Sequence, residues 1–304
     1  MYDVVIIGSG PAGLSAAIYA GRAKLNTLVI EEKPLSGGQI INTYEVDNYP
    51  GLPGINGFEL GQKMREHANK MEVMFQTARV KNIETNGAVK RVVTEQATCE
   101  TKTIIIASGA EHRKLGVPGE EALGGMGVSY CATCDGAFFK NRTVAVVGGG
   151  DVALEDALFL ARGCEKVYLI HRRDAFRGAK ILQEQVKANP RIEIIYDTVV
   201  TEIKGQDMVE EVLLYNKKKD TSESLPVNGI FIAVGISPNS EAVIAEVALD
   251  EQGYVQAGED CLTDKPGIFA AGDVRTKQLR QVVTAAADGA NAITSVENYL
   301  LQHM

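Results

Sequence analysis

Residues 3–33 read DVVIIGSGPAGLSAAIYAGRAKLNTLVIEEK, and residues 143–173 read TVAVVGGGDVALEDALFLARGCEKVYLIHRR. With Gly8 placed on Gly148 the two segments align without a gap as far as Lys33 and Arg173. Each reads as an apolar β-branched strand, a glycine-rich turn, a helix and a second apolar strand. That is the opening βαβ unit of a dinucleotide-binding fold, written twice. In the first copy Gly8, Gly10 and Gly13 make GxGxxG, with Ser9, Pro11 and Ala12 between them. In the second, Gly148, Gly150 and Ala153 make GxGxxA, with Asp151 and Val152 opening the helix. The first glycine allows the tight turn, the second lets backbone approach a pyrophosphate, and the third position must be small so that helix packs on strand. One such spacing is weak evidence. Two copies, each between a strand and a helix, predict an α/β chain with two Rossmann-like dinucleotide-binding domains.

The two copies differ where the second strand ends. A carboxylate there usually accepts from ribose hydroxyls. The first copy has Glu31. The second has His171 opposite it, followed by Arg172, Arg173 and Arg177. Guanidinium groups bind phosphate through paired donors. Copy one therefore suits the unphosphorylated adenosine ribose of FAD, and copy two the ribose 2′-phosphate of NADPH. Elsewhere HRRDAFR would read as an ordinary solvated basic turn. TIIIASGA (103–110, with Gly109) and GIFIAVGISPN (229–239) each read as a late buried strand, one per domain. GIFAAGDV (267–274) is a strand followed by Gly272 and Asp273. It reads either as a flavin contact, with Asp273 on ribityl hydroxyls, or as a plain turn capping a helix from about Val282.

Between the two copies stands YCATCDGAFF, residues 130–139. The chain of 304 residues is 45% hydrophobic, enough for two ordinary domains. Its formal charge of −8 argues against nucleic acid or an anionic membrane as partner. No apolar run approaches the ~20 residues that cross a bilayer. The N-terminus lacks a basic region and cleavage site, so no signal peptide is expected and cytoplasm is the expected compartment. In a reducing cytosol a CxxC pair is catalytic or metal-binding rather than a structural staple. Zinc would need two further ligands. Cys99, Cys164 and Cys261 are scattered singly, as packed thiols, and the four histidines form no spaced cluster. No metal site is expected. Redox chemistry at Cys131 and Cys134 is the favoured reading, with Asp135 adjacent as a candidate general acid if burial raises its pKa.

The assembled motifs resemble those of bacterial-type, low-molecular-weight NADPH–thioredoxin reductases, class II pyridine nucleotide-disulfide oxidoreductases. The resemblance runs over essentially the whole chain. It includes GSGPAGLSAAIYAGRA, GGQI (37–40), VDNYPG (46–51), CATCDG (131–136), GGGDVALEDA (148–157), HRRDAFR, GIFAAGDV and LRQVVTAAADG (279–289). It implies two domains of three-layer ββα arrangement: an FAD domain of residues 1–113 plus 244–304, and an NADPH domain, 114–243, inserted in it and carrying Cys131 and Cys134. It implies a homodimer that passes electrons from NADPH through FAD to its own disulfide and on to thioredoxin. By motif, Gly37, Gly38, Gln39 and Asn48 would lie near the isoalloxazine, and Arg280, Gln281 and Val282 would line the flavin. A CxxC at a helix start would gain thiolate character from the helix dipole. The inserted domain would swivel about crossings near 113–118 and 235–241. A reductase of another disulfide or of a peroxiredoxin is the alternative. A ferredoxin–NADP-type flavin reductase would lack the CxxC, larger disulfide reductases carry CxxxxC in the first domain, and a nucleotide sensor would need no cysteine pair.

Overall fold

The computed structural model describes residues 1–43, 46–85 and 87–303. The chain forms two compact units, Met1–Glu111 with Ser237–Met304, and His112–Ile236. The sequence boundary at 243/244 falls seven residues beyond this division. Asn239 explains the difference: its N–H and Nδ2 donate to the carbonyls of Gly109 and Ser108, and Ser108 Oγ donates back to its carbonyl, tying 237–243 into the first unit.

The sheet of the first unit runs in the order Met74–Thr77, Thr27–Glu31, Tyr2–Ile7, Thr98–Ile106, Lys90–Thr94, Val80–Glu84, with Ile268–Ala270 also paired to Thr98–Ile106. Pairing is parallel through Tyr2–Ile7 and antiparallel in the Lys90–Thr94 and Val80–Glu84 extension. Val4 to Ile7 are all buried because both faces are covered, so the run shows no polar alternation. Val4 and Ile6 join one cluster with Leu14, Phe269 and Ile293; Val5 and Ile7 join another with Ile30, Val92 and Val255. Each such side chain contributes about 1.5–3 kcal/mol on burial. Helices Pro11–Arg22 and Val282–Gln302 cover the first face. They approach closely through Gly289, where a Cβ would stand 2.2 Å from the carbonyl oxygen of Ala12. A larger residue there would force the two helices apart.

In the second unit the parallel sheet has the order Ile192–Ile195, Lys166–Ile170, Thr143–Gly148, Gly229–Ala233, Val128–Ser129. One face packs on helices Asp151–Leu160 and Lys180–Ala188 through Leu154, Ala157 and Val186. The other packs on an antiparallel sheet, Thr198–Lys204, Glu211–Asn216 and Thr221–Pro226, through Val200, Val212 and Leu214. Sheet, sheet and helices form the three layers expected. The chain segments that join the units, Ala110–His112 and Ile236–Pro238, pair with each other as a two-stranded ladder. Among the described residues no helix is long and apolar enough to cross a membrane.

Candidate active site

The first glycine loop leaves Tyr2–Ile7 in the crevice between its two parallel neighbours, the place where open α/β sheets bind ligands. Gly8 has φ +104°, and a Cβ on it would lie 2.4 Å from the Ala107 carbonyl oxygen, so only glycine fits. A Cβ on Gly13 would meet the Gly8 carbonyl oxygen at 2.0 Å. Gly10 caps the helix with no side-chain hydrogen bond, and Pro11 follows, so the helix start is open to an anion. Gly38 faces Gly10, the GGQI segment being held by a Gly37 N–H to Ser9 carbonyl bond of 2.8 Å. Glu31 sits at the end of Thr27–Glu31. Its Oε2 accepts from Ser9 N (2.8 Å) and Ser9 Oγ (2.7 Å), and its Oε1 from Lys33 N (3.0 Å). The carboxylate thus stands beside the loop, where the ribose acceptor was expected.

Gly272 and Asp273 lie against the start of the same helix: a Cβ on Gly272, at φ +80°, would come within 2.8 Å of Ala12 Cβ. Among the described residues, the buried side-chain polar atom left without a hydrogen-bond partner is Oδ1 of Asp273. Burial pushes this carboxyl above its ordinary pKa, against the pull of Lys277 and Arg280. An orphaned buried acceptor beside an open helix start fits a ligand hydroxyl such as those of the ribityl chain of FAD, and the cap of the helix from Val282 is Gln281, not Asp273. The Gly272 N–H, by contrast, donates to Asp288 Oδ2 at 2.9 Å and is not free for a pyrophosphate. The nearby polar side chains are engaged within the unit. Gln39 Nε2 donates to the Ala110 carbonyl, and Asn48 Nδ2 donates to Gln281 Oε1 at 2.9 Å. The Arg280 guanidinium lies 4.1 Å from the Tyr254 ring centroid. Gln281 caps the helix that Val282 begins. Gly109, at φ +72°, has open space where a Cβ would be.

A cluster missed by the motif reading holds this region. Asp288 accepts from Arg275 Nε (2.9 Å), Arg275 Nη2 (2.7 Å), Lys277 Nζ (2.9 Å) and the Gly272 N–H. The three side chains are 6–9% exposed. The signal was present: Asp288 follows Ala285 by three and precedes Ala292 by four, so an acidic group sits on the buried face of a helix and must have a partner.

In the second unit Gly148 leaves no room for a Cβ, which would lie 2.4 Å from the Ala233 carbonyl oxygen and 2.5 Å from Ala153 Cβ. Gly150 caps Asp151–Leu160 without a side-chain bond and with open space around it. Asp151 Oδ1 accepts from Ala179 N, and Val152 is exposed. Arg172, Arg173 and Arg177 are exposed. Three guanidinium groups beside an open helix start fit a nucleotide carrying an extra phosphate. His171, which opens this basic run, does not join its exposed cations: it is buried, and its ring stands where a Cβ on Gly149 would be, 2.2 Å away. Its Nε2 lies 3.0 Å from the Ala175 carbonyl oxygen. Burial lowers its pKa, Arg173 and Arg172 lower it further, and backbone contacts only partly offset this. The ring is neutral at pH 7 and supports the loop from beneath.

Cys131 and Cys134 are joined as a disulfide with Cα atoms 5.3 Å apart. Cys131 caps a single helical turn, Ala132–Asp135, which passes directly into a 3₁₀ turn, Gly136–Phe139. A turn this short has little macrodipole, so the expected dipole effect on the thiols is small. Asp135 Oδ2 lies 2.5 Å from Ser129 Oγ. Burial pushes the Asp135 carboxyl above its ordinary pKa, and the bond from Ser129 holds it partly back. Among the described residues no group of three or more His, Cys, Asp or Glu could hold a metal ion.

The pattern of the pyridine nucleotide-disulphide oxidoreductase family matches residues 2–289. The chain belongs to this family. Within the family it is 46% identical over 301 residues to a thioredoxin reductase of Listeria innocua, covering 99% of this chain and 94% of that one. It is 46% identical over 304 residues to a thioredoxin reductase of Mycolicibacterium smegmatis, covering 99% and 97%. The crystal structure of thioredoxin reductase from Streptococcus pyogenes matches with a TM-score of 0.95 at 47% identity, covering 99% of each chain. The resemblance read from the motifs and the α/β fold with two dinucleotide-binding domains are both borne out. Membership of this family implies FAD and NADPH.

Proposed function

We propose that this chain is an NADPH-dependent flavoprotein thioredoxin-disulfide reductase. The observation that carries the reading is the Cys131–Cys134 disulfide, next to a partly buried carboxyl, in the same unit as an open phosphate loop edged by three arginines. In this reading Ser9–Gly13 and the helix start behind them hold the FAD pyrophosphate, Glu31 the adenosine ribose, and Asp273 the ribityl chain. Gly37, Gly38, Gln39, Asn48, Gly109, Arg280, Gln281 and Val282 line the flavin, and Gly272, whose N–H is given to Asp288, shapes the turn. Gly148, Gly150, Asp151, Val152 and Ala153 form the NADPH phosphate loop over His171, and Arg172, Arg173 and Arg177 take the 2′-phosphate. When bound, FAD supplies two-electron chemistry between the nicotinamide and the disulfide.

The chain's own residues perform the exchange. One thiolate of the reduced pair attacks a sulfur of the substrate disulfide, forms a mixed disulfide and releases a substrate thiolate. The second enzyme thiolate attacks the mixed disulfide, restores Cys131–Cys134 and releases the substrate as a dithiol. Asp135, whose carboxyl burial pushes above its ordinary pKa, delivers a proton to a departing thiolate. Thioredoxin is the proposed substrate, and the proposed working form is a cytoplasmic homodimer. The two units are proposed to turn about the paired crossings, where Gly116 (φ +73°) and Gly235 (φ +118°) supply backbone freedom. The Cys134→Ser variant tests the reading. It should keep its flavin spectrum and bleach with NADPH, yet reduce no thioredoxin. Retained thioredoxin reduction would overturn the mechanism.

A further inference from the structure

Ser129 ends the short strand Val128–Ser129, opposite Phe231 in the parallel sheet, and is 5% exposed. Its Oγ lies 2.5 Å from Asp135 Oδ2, receives the Cys131 N–H at 3.1 Å, and stands 3.4 Å from the Cys131 carbonyl oxygen. One buried hydroxyl therefore touches the candidate proton donor and both backbone groups of a redox cysteine. We propose that Ser129 is a positioning residue, holding the Asp135 carboxyl against the Cys131 backbone in both of its protonation states. The inference rests on the proposed role of Asp135 as proton donor.

The chemistry of a hydroxyl makes this work. It carries one hydrogen and two lone pairs. One lone pair always accepts from the Cys131 N–H. When Asp135 is ionised, the Ser129 hydrogen points to Oδ2. When Asp135 is protonated on Oδ1, the Ser129 hydrogen stays on Oδ2, and the Oδ1 proton is free of Ser129 and can pass to a departing thiolate. Ser129 makes the same bond before and after the transfer, so the carboxyl loses its proton without moving. A group that need not reorganise as charge develops lowers the barrier of the transfer.

Other charges stand nearby. The cysteine turn packs on the helix Asp151–Leu160, which carries Asp151, Glu155 and Asp156. Asp156 is itself pushed up to about 7 by its burial and by Glu155. Burial and Ser129 are the influences acting on Asp135, and none of these three carboxyls is among them. The turn Gly136–Phe139 that follows has no ionisable group, and Lys140 beyond it is exposed.

The test uses the full FAD-loaded chain and four variants: Ser129→Ala, Ser129→Thr, Ser129→Val and Asp135→Asn. Flavin content and the anaerobic rate of bleaching by NADPH check integrity and should stay within about two-fold of the parent in all four. The pH profile of kcat for thioredoxin reduction at saturating NADPH is the decisive readout. In the parent, kcat falls as pH rises through the Asp135 pKa. Loss of the Ser129 hydrogen bond removes a contact that favours the carboxylate, so in Ser129→Ala this limb should move up by about one pH unit and the plateau should drop about ten-fold. Threonine and valine have the same shape and differ by the hydroxyl. Ser129→Thr should follow the parent and Ser129→Val should follow Ser129→Ala, whatever the alanine variant does to folding. Combining Ser129→Ala with Asp135→Asn should cost no more than Asp135→Asn alone. A Ser129→Val profile that matches Ser129→Thr, or a uniform loss with an unshifted limb, overturns the inference and leaves the proton-donor role intact. An Asp135→Asn enzyme that keeps the limb overturns the donor role, and the inference with it.

Discussion

Replacing Asp288 by asparagine should destabilise the first unit more than any single change at its surface. Asp288 is the anion for Arg275 and Lys277, and its side chain and that of Lys277 are each 6% exposed. Removing one partner of a buried ion pair leaves an uncompensated buried charge and costs about 3–5 kcal/mol. Asparagine keeps one acceptor oxygen, so the lower end, about 3 kcal/mol, is expected. At about 2–4 °C per kcal/mol for a unit of this size, the melting temperature should fall by about 6–12 °C. The same change loosens the Gly272 N–H contact at 2.9 Å, so the turn bearing Asp273 should hold flavin less tightly. The pH dependence has a definite sign. Burial alone would raise the Asp288 pKa, but its bonds from Arg275 and Lys277 outweigh it and the folded-state pKa is lowered. Its stability contribution is therefore present above the unfolded carboxyl pKa and is lost as pH falls through the folded value. The parent should lose its advantage over Asp288→Asn on acidification. The assay is differential scanning fluorimetry of both proteins from pH 7 down to about pH 2, well below the ordinary Asp pKa of about 3.9, with released flavin read by its fluorescence. A shift under 2 °C at pH 7, or a gap that widens toward acid, would refute the reasoning.

Three further outcomes are expected. Arg172→Ala with Arg173→Ala should raise the NADPH Michaelis constant about ten-fold per exposed arginine and leave that for NADH within about three-fold, measured in parallel steady-state assays. Gly149→Ala places a Cβ 2.2 Å from the His171 ring, so the NADPH Michaelis constant should rise by about ten-fold or more, while flavin content stays that of the parent. Asp273→Ala removes the orphaned acceptor, and gel-filtered protein should carry a clearly lower flavin-to-protein absorbance ratio than the parent.

The two nucleotide loops were legible in the sequence because their glycines are dictated by sterics. Gly8, Gly13 and Gly148 each stand where a Cβ would overlap backbone, and overlap of that kind leaves a spacing that any reader can recover. The covered strands were equally clear, since burial on both faces leaves unbroken apolar runs. What could not be read was pairing over long sequence separation. Nothing in the motifs joins Asn239 to Ser108 across 131 residues, and even over 13 and 11 residues nothing names Arg275 and Lys277 as the partners of Asp288. The dipole argument for the cysteines failed for a local reason: a helix begins at Ala132, but nothing in ATCDGAFF says that it ends within one turn.

His171 shows how the two copies of one motif diverge, and why position alone misled. The offset that puts His171 on Glu31 also puts Gly149 on Ser9. In the first copy the pair is a hydroxyl and a carboxylate, and Glu31 Oε2 accepts from both the N–H and the Oγ of Ser9. In the second the pair is a hydrogen atom and an imidazole, and the ring occupies the space that a side chain at 149 would need. The two positions change together because they touch. Their exchange also settles the charge of the site. A carboxylate at 171 would stand at the head of Arg172, Arg173 and Arg177, drawing those guanidinium groups to itself and repelling a ribose 2′-phosphate. A buried neutral imidazole does neither. It leaves the three arginines at the mouth of the loop without that anion, so in their proposed role selectivity for the phosphorylated nucleotide comes as much from the anion removed at 171 as from the cations added after it.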